Sequence, residues 1–524
     1  MAKIAESRSM LNVLISVFVT PGSFSYGYSA SIIASTLGQS HFISHFNLVP
    51  VHNPNANALL GATNGLFQTG GLLGALSIGY CADRFSRRAA SIISSLILCV
   101  GGALQAASQN ISMFLAMLFF TGMGVGQIAG AVPLYQSEIS PPHSRGLLVC
   151  LHGVLIGTGY SIAGWVGYAC YPLSGSLQWR IPLALQVVTP ALLCIGTLFL
   201  PESPRWRVTK KVQCTAVSLK ANWCLVLQND RPDEALDVLK RLHANVQDTE
   251  FQFARKEFHD MQQQLSLEKT TGKDSYMDLL TQKGLLKRVI VGFLTMFGAQ
   301  CTGTLVVNNY RTVLYSNVGY DGRTAIAFTA GWVTVSIAGN AITAIFVDKL
   351  GRVKFMIIGF TGIVCVLIGE IVCLALLESR ESYGLSLAAI AFLYGHIAFF
   401  SSCIDATTYI YASEIFPTHL RARGLSLSLS GLFLVSLCFT QAATSALASI
   451  GWRYYILFTV MSALMVLVLF FYFPETKGLS LEEMAKLFGD EVATDVAASV
   501  PGEAILEAKG SQAQEMVSEH CERV

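Results

Sequence analysis

The chain has 524 residues, of which 52% are hydrophobic and only 13% charged, with a mean hydropathy of +0.52. A soluble chain carries about 25% charged residues, so this composition excludes disordered, coiled-coil, collagen-like and disulfide-framework classes. Thirty-five basic against 33 acidic residues leave a net charge of +2, which argues against a nucleic-acid partner. Forty-five glycines beside 30 phenylalanines fit a polytopic helical membrane protein, where glycine lets helices approach closely.

Runs of about 20 mostly apolar residues predict membrane-spanning helices. They fall near 11–34, 59–82, 89–108, 112–134, 148–170 and 180–200. After a polar stretch they resume near 288–308, 324–347, 355–377, 385–411, 425–448 and 453–473. The first run continues past Pro21 to Ala34 without a cleavage site, so it reads as a span and not a signal peptide. The expected architecture is all-α, with bundles at 1–200 and 288–473, a polar loop at 201–287 and a tail at 474–524. Within the loop, Asp230 and Pro232 resemble a helix start, and a second polar helix is expected near 250–267. The thirteen cysteines are scattered through apolar runs without metal-ligand spacing, and neither metal nor cofactor is implied.

Basic residues set the expected orientation. Arg84, Arg87, Arg88 and Arg145 lie in one set of turns, as do Lys349, Arg352, Lys354, Arg421 and Arg423, whereas 35–58, 109–111 and 171–179 contain no Lys or Arg. Both termini are therefore expected on the cytoplasmic side of the bilayer.

The two six-span halves repeat one another. Ser137, Glu138, Ile139, Pro141, His143 and Arg145 recur at identical spacing as Ser413, Glu414, Ile415, Pro417, His419 and Arg421. Asp83, Arg84 and Arg87 are answered by Asp348, Lys349 and Arg352, and Pro201, Glu202 and Ser203 by Pro474, Glu475 and Thr476. Duplicated halves around a midplane site are the layout of a rocker-type carrier. The charged turns Arg84, Glu138, Arg145 and Glu202, with Arg352, Glu414, Arg421 and Glu475, are expected to form networks between helix ends that gate one face. The bland reading is a topology signal with solvated caps.

These motifs, above all Pro201–Trp206 and Pro474–Gly478, resemble the sugar porter family of the major facilitator superfamily in its fungal-type branch. The resemblance runs from about Gly22 to Gly478 and implies twelve helices, a central cavity, alternating access, a sugar or polyol as cargo and residence in the plasma membrane. The chain departs from the pattern in places. Gln300 and Gly303 match the family's seventh span, but Leu305 stands at its Asn, Gly153 at the Gln of many hexose carriers, and Tyr409 at the tenth-span Trp. Asp405–Thr408 replaces a Gly-Pro-x-Pro run, which argues against glucose itself.

Polar side chains inside spans are costly and mark a water-filled route or interhelical hydrogen bonds. Span seven offers Gln300, Thr304, Asn308 and Arg311 on one helical face, span ten Asp405, Thr408 and Tyr409, span one Ser25, Tyr28 and Ser29, and span five His152 and Tyr160. Amides, hydroxyls and rings suit a small neutral sugar or polyol. His152 reads equally as a packing histidine. In proton-coupled members a span-one Asp pairs with a span-four Arg, and these positions are Ser29 and Leu118. Transport is therefore expected to be downhill, with Glu370 and Asp405 as candidate substitute proton sites. A proton-coupled symporter and a non-transporting sensor are the alternatives. No phosphate-cradling loop, metal pair or nucleophile elbow points to an enzyme.

One stretch breaks the family pattern. Trp206 is expected to be followed directly by the apolar run that starts at Leu225. The intervening 207–224 carries Arg207, Lys210, Lys211 and Lys220 with no acidic residue, and its removal restores the pattern in frame. It reads as retained intron sequence, against the alternative of a genuine loop insertion.

Overall fold

A chain that crosses a bilayer must satisfy every backbone N–H and C=O internally, so its spans are helices. The computed structural model describes residues 10–48, 55–139, 145–203, 276–317, 322–379, 382–417, 420–477, 484 and 487–488, and among these there is no strand. The first half comprises α1 (Met10–Leu37), the short α2 (Ser40–His45), α3 (Ala56–Arg84), α4 (Arg87–Ala106), α5 (Ile111–Ile139), α6 (Arg145–Cys170), α7 (Leu177–Leu185) and α8 (Val188–Phe199). The second comprises α9 (Tyr276–Thr281), α10 (Lys283–Cys301), α11 (Thr304–Asn317), α12 (Gly322–Leu350), α13 (Arg352–Ser379), α14 (Tyr383–Phe399), α15 (Ala406–Glu414), α16 (Arg421–Ser449) and α17 (Tyr454–Tyr472). Nine helical stretches among the described residues are long and apolar enough to cross a membrane. The remaining long helices, α1, α3 and α6, match the other three expected spans.

Three expected spans are interrupted. The sixth is split into α7 and α8, the seventh stops at Cys301 and restarts at Thr304, and the tenth passes through a π-helical turn at Phe400–Asp405. Gly303 sits at the seventh-span break with φ +77, a left-handed conformation that a Cβ makes costly.

Glycine sets the closest approach within the first half. A Cβ on Gly122 of α5 would lie 2.2 Å from the Phe67 carbonyl oxygen of α3, and one on Gly126 2.1 Å from that of Gly71. Only hydrogen fits there, so the two backbones touch along the crossing. Two apolar cores result, one centred on α1–α8 and holding Phe42, Leu118, Ile128 and Trp179, the other on α10–α17 and holding Tyr315, Trp332, Phe360 and Phe416. The halves meet along two equivalent seams, α3 against α16 and α12 against α6. Expectations for the 207–224 stretch, the helices near Asp230 and 250–267, Arg205 and the far end of the tail lie outside the described residues.

Candidate functional site

Between the halves lies a cavity lined by side chains of both. Gln300 of α10, Thr304 and Asn308 of α11, Tyr160 of α6, Asp405 at the end of the π-helical turn, and Thr408 and Tyr409 of α15 all line it. The α10–α11 break redirects the backbone, so the polar face expected along one continuous helix is presented by two. The side chain of Arg311, the fourth residue of that expected face, is outside the described ones.

The expected span-one face points elsewhere. Tyr28 is buried and its hydroxyl donates to the Pro182 carbonyl at 2.9 Å. Ser25 donates to Pro21 O at 2.6 Å, and its Oγ lies 2.8 Å from Thr189 Oγ1. This face packs against α7 and α8, where the last carbonyls of α7 lack helical partners. Tyr26, about 200° around the helix from Tyr28, lines the cavity and hydrogen-bonds both Tyr409 and Tyr160.

Trp332, Ser336 and Phe400 also line the cavity. Their rings and hydroxyls were not separable in the sequence from apolar core positions. Asn340 of α12 donates from Nδ2 to Asp405 Oδ2 at 3.0 Å. A Cβ on Gly153 would stand 2.9 Å from Asn340 Oδ1 and 2.6 Å from Ala406 Cβ. The place where many hexose carriers hold a glutamine is therefore closed by the wall opposite. His152 is packed rather than lining: its Nδ1 lies 2.7 Å from Ser23 Oγ and its ring meets Tyr409 edge-on at 5.1 Å. Glu370 is buried in α13 beside Tyr455, outside the cavity. Ser29 and Leu118 are both buried, and Leu118 belongs to the first apolar core.

The charged turns gather at one end of the bundle and repeat contact for contact. Arg87 binds Glu138 through Nη2 at 2.9 Å and Asp83 through Nη1 at 2.9 Å. Arg352 binds Glu414 at 3.1 Å and Asp348 at 2.9 Å. Ser203 donates to Glu138 as Thr476 does to Glu414, and Tyr135 donates to Pro201 O as Tyr411 does to Pro474 O. Glu475 accepts the amides of Arg352, Val353 and Lys354 at 2.8, 3.1 and 3.4 Å, capping the positive end of α13. Glu202 does the same for α4 through the Arg88 amide at 3.4 Å. Burial raises its carboxyl above the usual range, against which Ser86 and the amides of Ser203 and Arg88 pull.

The ion-pair position equivalent to Arg352 is thus Arg87, whereas Arg84 is exposed. The duplication carried that signal, since Arg84 aligns with Lys349. The side chain of Arg145 lies outside the described ones. Arg421 is fully buried and acts electrostatically on Glu138 of the opposite half. Arg423, not among the expected gating residues, joins the halves directly, with Nε 3.0 Å from Asp83 Oδ2.

A duplicated helical bundle with a polar cavity between its halves and an ion-paired seam at one end has the architecture of a membrane transporter that exposes one site alternately to two sides. The sequence matches the family described as sugar (and other) transporter over residues 15–488, and the chain belongs to that family. It is 32% identical to the MFS-type transporter criB of Aspergillus cristatus, across 92% of this chain and 94% of that protein. It is 27% identical to a high-affinity glucose transporter of Kluyveromyces lactis, across 89% and 83%. The fold superposes on the proton:xylose symporter XylE bound to 6-bromo-6-deoxy-D-glucose with a TM-score of 0.78 and 21% identity, covering 92% of this chain and all of that one.

Proposed function

We propose that this transporter moves a small neutral sugar or polyol by alternating access, downhill, across the plasma membrane, with both termini and the charged end on the cytoplasmic side. The observation that carries the reading is the cavity wall, where Gln300, Asn308, Thr304 and Thr408 offer amide and hydroxyl partners beside Trp332, Tyr26 and Tyr409. Such a wall can bond hydroxyls and stack on the apolar face of a ring. Downhill transport is supported by the burial of Ser29 and Leu118 where a coupling pair would stand. Asp405, a carboxylate in the cavity wall, is the observation that favours the second reading, proton symport. The substrate-contacting and gating roles given to the residues above belong to the same proposal.

Tracer uptake in a carrier-deficient cell tests it and separates a carrier from a sensor. Gln300→Ala removes hydrogen bonds to the cargo and should weaken apparent affinity about tenfold, or about 1.4 kcal/mol. Unchanged uptake kinetics at matched surface expression would remove Gln300 from the site. Accumulation above the external concentration, abolished by a protonophore, would replace downhill transport with symport.

A further inference from the structure

We infer that the cavity takes a second class of cargo beyond neutral polyols: polyhydroxylated solutes that carry a protonated amine, whose ammonium pairs with Asp405. The inference rests on the downhill reading above, because it uses the charge that such a cycle leaves unbalanced.

Asp405 is the single ionisable acid or base among the described residues lining the cavity, tyrosines aside, and no Lys, Arg or His shares that wall. One carboxylate oxygen, Oδ2, is held by Asn340 Nδ2 at 3.0 Å. The neighbouring Thr408 hydroxyl donates to the Asp405 backbone carbonyl at 2.9 Å and is turned away from the carboxylate. The Tyr26 hydroxyl is bonded to those of Tyr409 and Tyr160. The His152 imidazole, which meets the Tyr409 ring edge-on, is engaged with Ser23 and does not line the cavity.

Among the described residues, one neutral donor reaches this carboxylate and no counter-charge lines the cavity. While the cavity is open, water solvates the ion. Occlusion around a neutral solute strips that water and leaves an uncompensated charge in a low-dielectric interior. A cargo that carries an ammonium brings the compensating charge with it, which a downhill cycle does not otherwise supply. The surroundings suit one: the rings of Tyr26, Tyr160, Trp332, Phe400 and Tyr409 line the same space, and aromatic faces attract desolvated cations. Gln300, whose buried Oε1 has no hydrogen-bond partner, stands in the same wall for a hydroxyl of the same molecule.

Binding to the full-length carrier in nanodiscs, measured by calorimetry near neutral pH, where the amines are still protonated, tests this with matched pairs: glucose against glucosamine, and glycerol against 2-amino-1,3-propanediol. N-acetylglucosamine serves as the bulky neutral control. In at least one pair the amine should bind about tenfold or more tightly than its neutral partner. The acetylated control should lose that gain, and the ratio should fall toward one in the isosteric Asp405→Asn. The ratio in the unmodified protein decides the matter even if the variant folds poorly. Amines binding no better than their partners in every pair overturn the inference and leave the polyol reading standing. Binding by no member of either series overturns both. Proton-driven accumulation of a neutral member shows that the counter-charge is a proton and overturns the inference.

Discussion

Tyr26 and Tyr28 are two residues apart on α1 and have separate duties. Tyr26 faces the cavity and bonds Tyr409 and Tyr160, while Tyr28 spends its hydroxyl on the Pro182 carbonyl inside the first half. Tyr26→Phe should therefore change uptake kinetics with little effect on folding. Tyr28→Phe should leave a buried carbonyl without its donor, costing about 1 kcal/mol of stability while apparent affinity stays put. Thermal unfolding in detergent and tracer uptake on the same two variants check the split, and a kinetic effect confined to Tyr28→Phe would reverse it. The sequence alone favoured Tyr28 because it shares a polar stripe with Ser25 and Ser29. A stripe reports polarity, not the partner that satisfies it, and the partners here, Pro182 and Thr189, come from α7 and α8 more than 150 positions away. Gln300, Asp405 and Tyr409 were legible because their side chains exceed what packing in an apolar span would require. Arg87 was legible only through the duplication, since Arg84 in the same turn carries the same charge.

Whole elements were readable to within a few residues wherever an apolar run was continuous, and their interruptions were not. In the π-helical turn at Phe400–Asp405 the intrahelical pairing of the carbonyls is disturbed, yet Ser401, Ser402 and Cys403 look like ordinary small helix residues. The compensation sits on α12: Thr343 Oγ1 donates to Ser401 O at 3.1 Å and to Ser402 O at 2.6 Å. At the α10–α11 break, His396 Nε2 lies 3.1 Å from the Thr302 carbonyl in the same manner. Inside a membrane no water would replace these bonds, so the interruptions persist because neighbouring helices supply partners. π-Turns recur at functional sites, and this one sets Asp405 into the cavity. Thr343→Val keeps shape and removes the donor. It should lower stability by about 1 kcal/mol and weaken cargo binding as Asp405 loses its fixed position, read by thermal shift and uptake. Stability and affinity both equal to the parent would mean that the turn holds itself.

Across the molecule, the two halves are coupled through the chain that joins them and through the seam at the charged end. For the joining chain, the basic insert at 207–224 should be absent from the native protein: peptide mapping should find a fragment linking Trp206 to Leu225, and dominant peptides from Thr215–Lys220 would establish a genuine insertion. The seam can be argued from geometry. Asp83 holds Arg87 within its own half and Arg423 across the interface, with side chains only 22% and 18% exposed for Asp83 and Arg423. Tyr276 lays its ring against the Arg423 guanidinium at 5.5 Å, and a Cβ on Gly79 would come within 2.4 Å of the Tyr276 hydroxyl. This partial burial raises the Asp83–Arg423 pair above the near-zero worth of a solvated one. Opening the seam has to break that pair, whereas the Arg87–Glu138 and Arg352–Glu414 pairs lie within one half each and survive a rigid rocking motion. Arg423→Gln should therefore shift the population toward the state open at the charged end. A loss of about 1.4 kcal/mol corresponds to a tenfold shift. Ser426, fully buried at that seam, reports it as Ser426→Cys: its modification by a hydrophilic thiol reagent on the detergent-solubilised carrier, followed peptide by peptide so that native cysteines do not interfere, should accelerate by about that factor. Asp83→Asn should do the same, and the two changes together should add little to either alone, because each removes the same contact. A labelling rate unmoved by either variant would place the lock elsewhere on the seam, with the buried Arg421 and its attraction to Glu138 as the next contact to break.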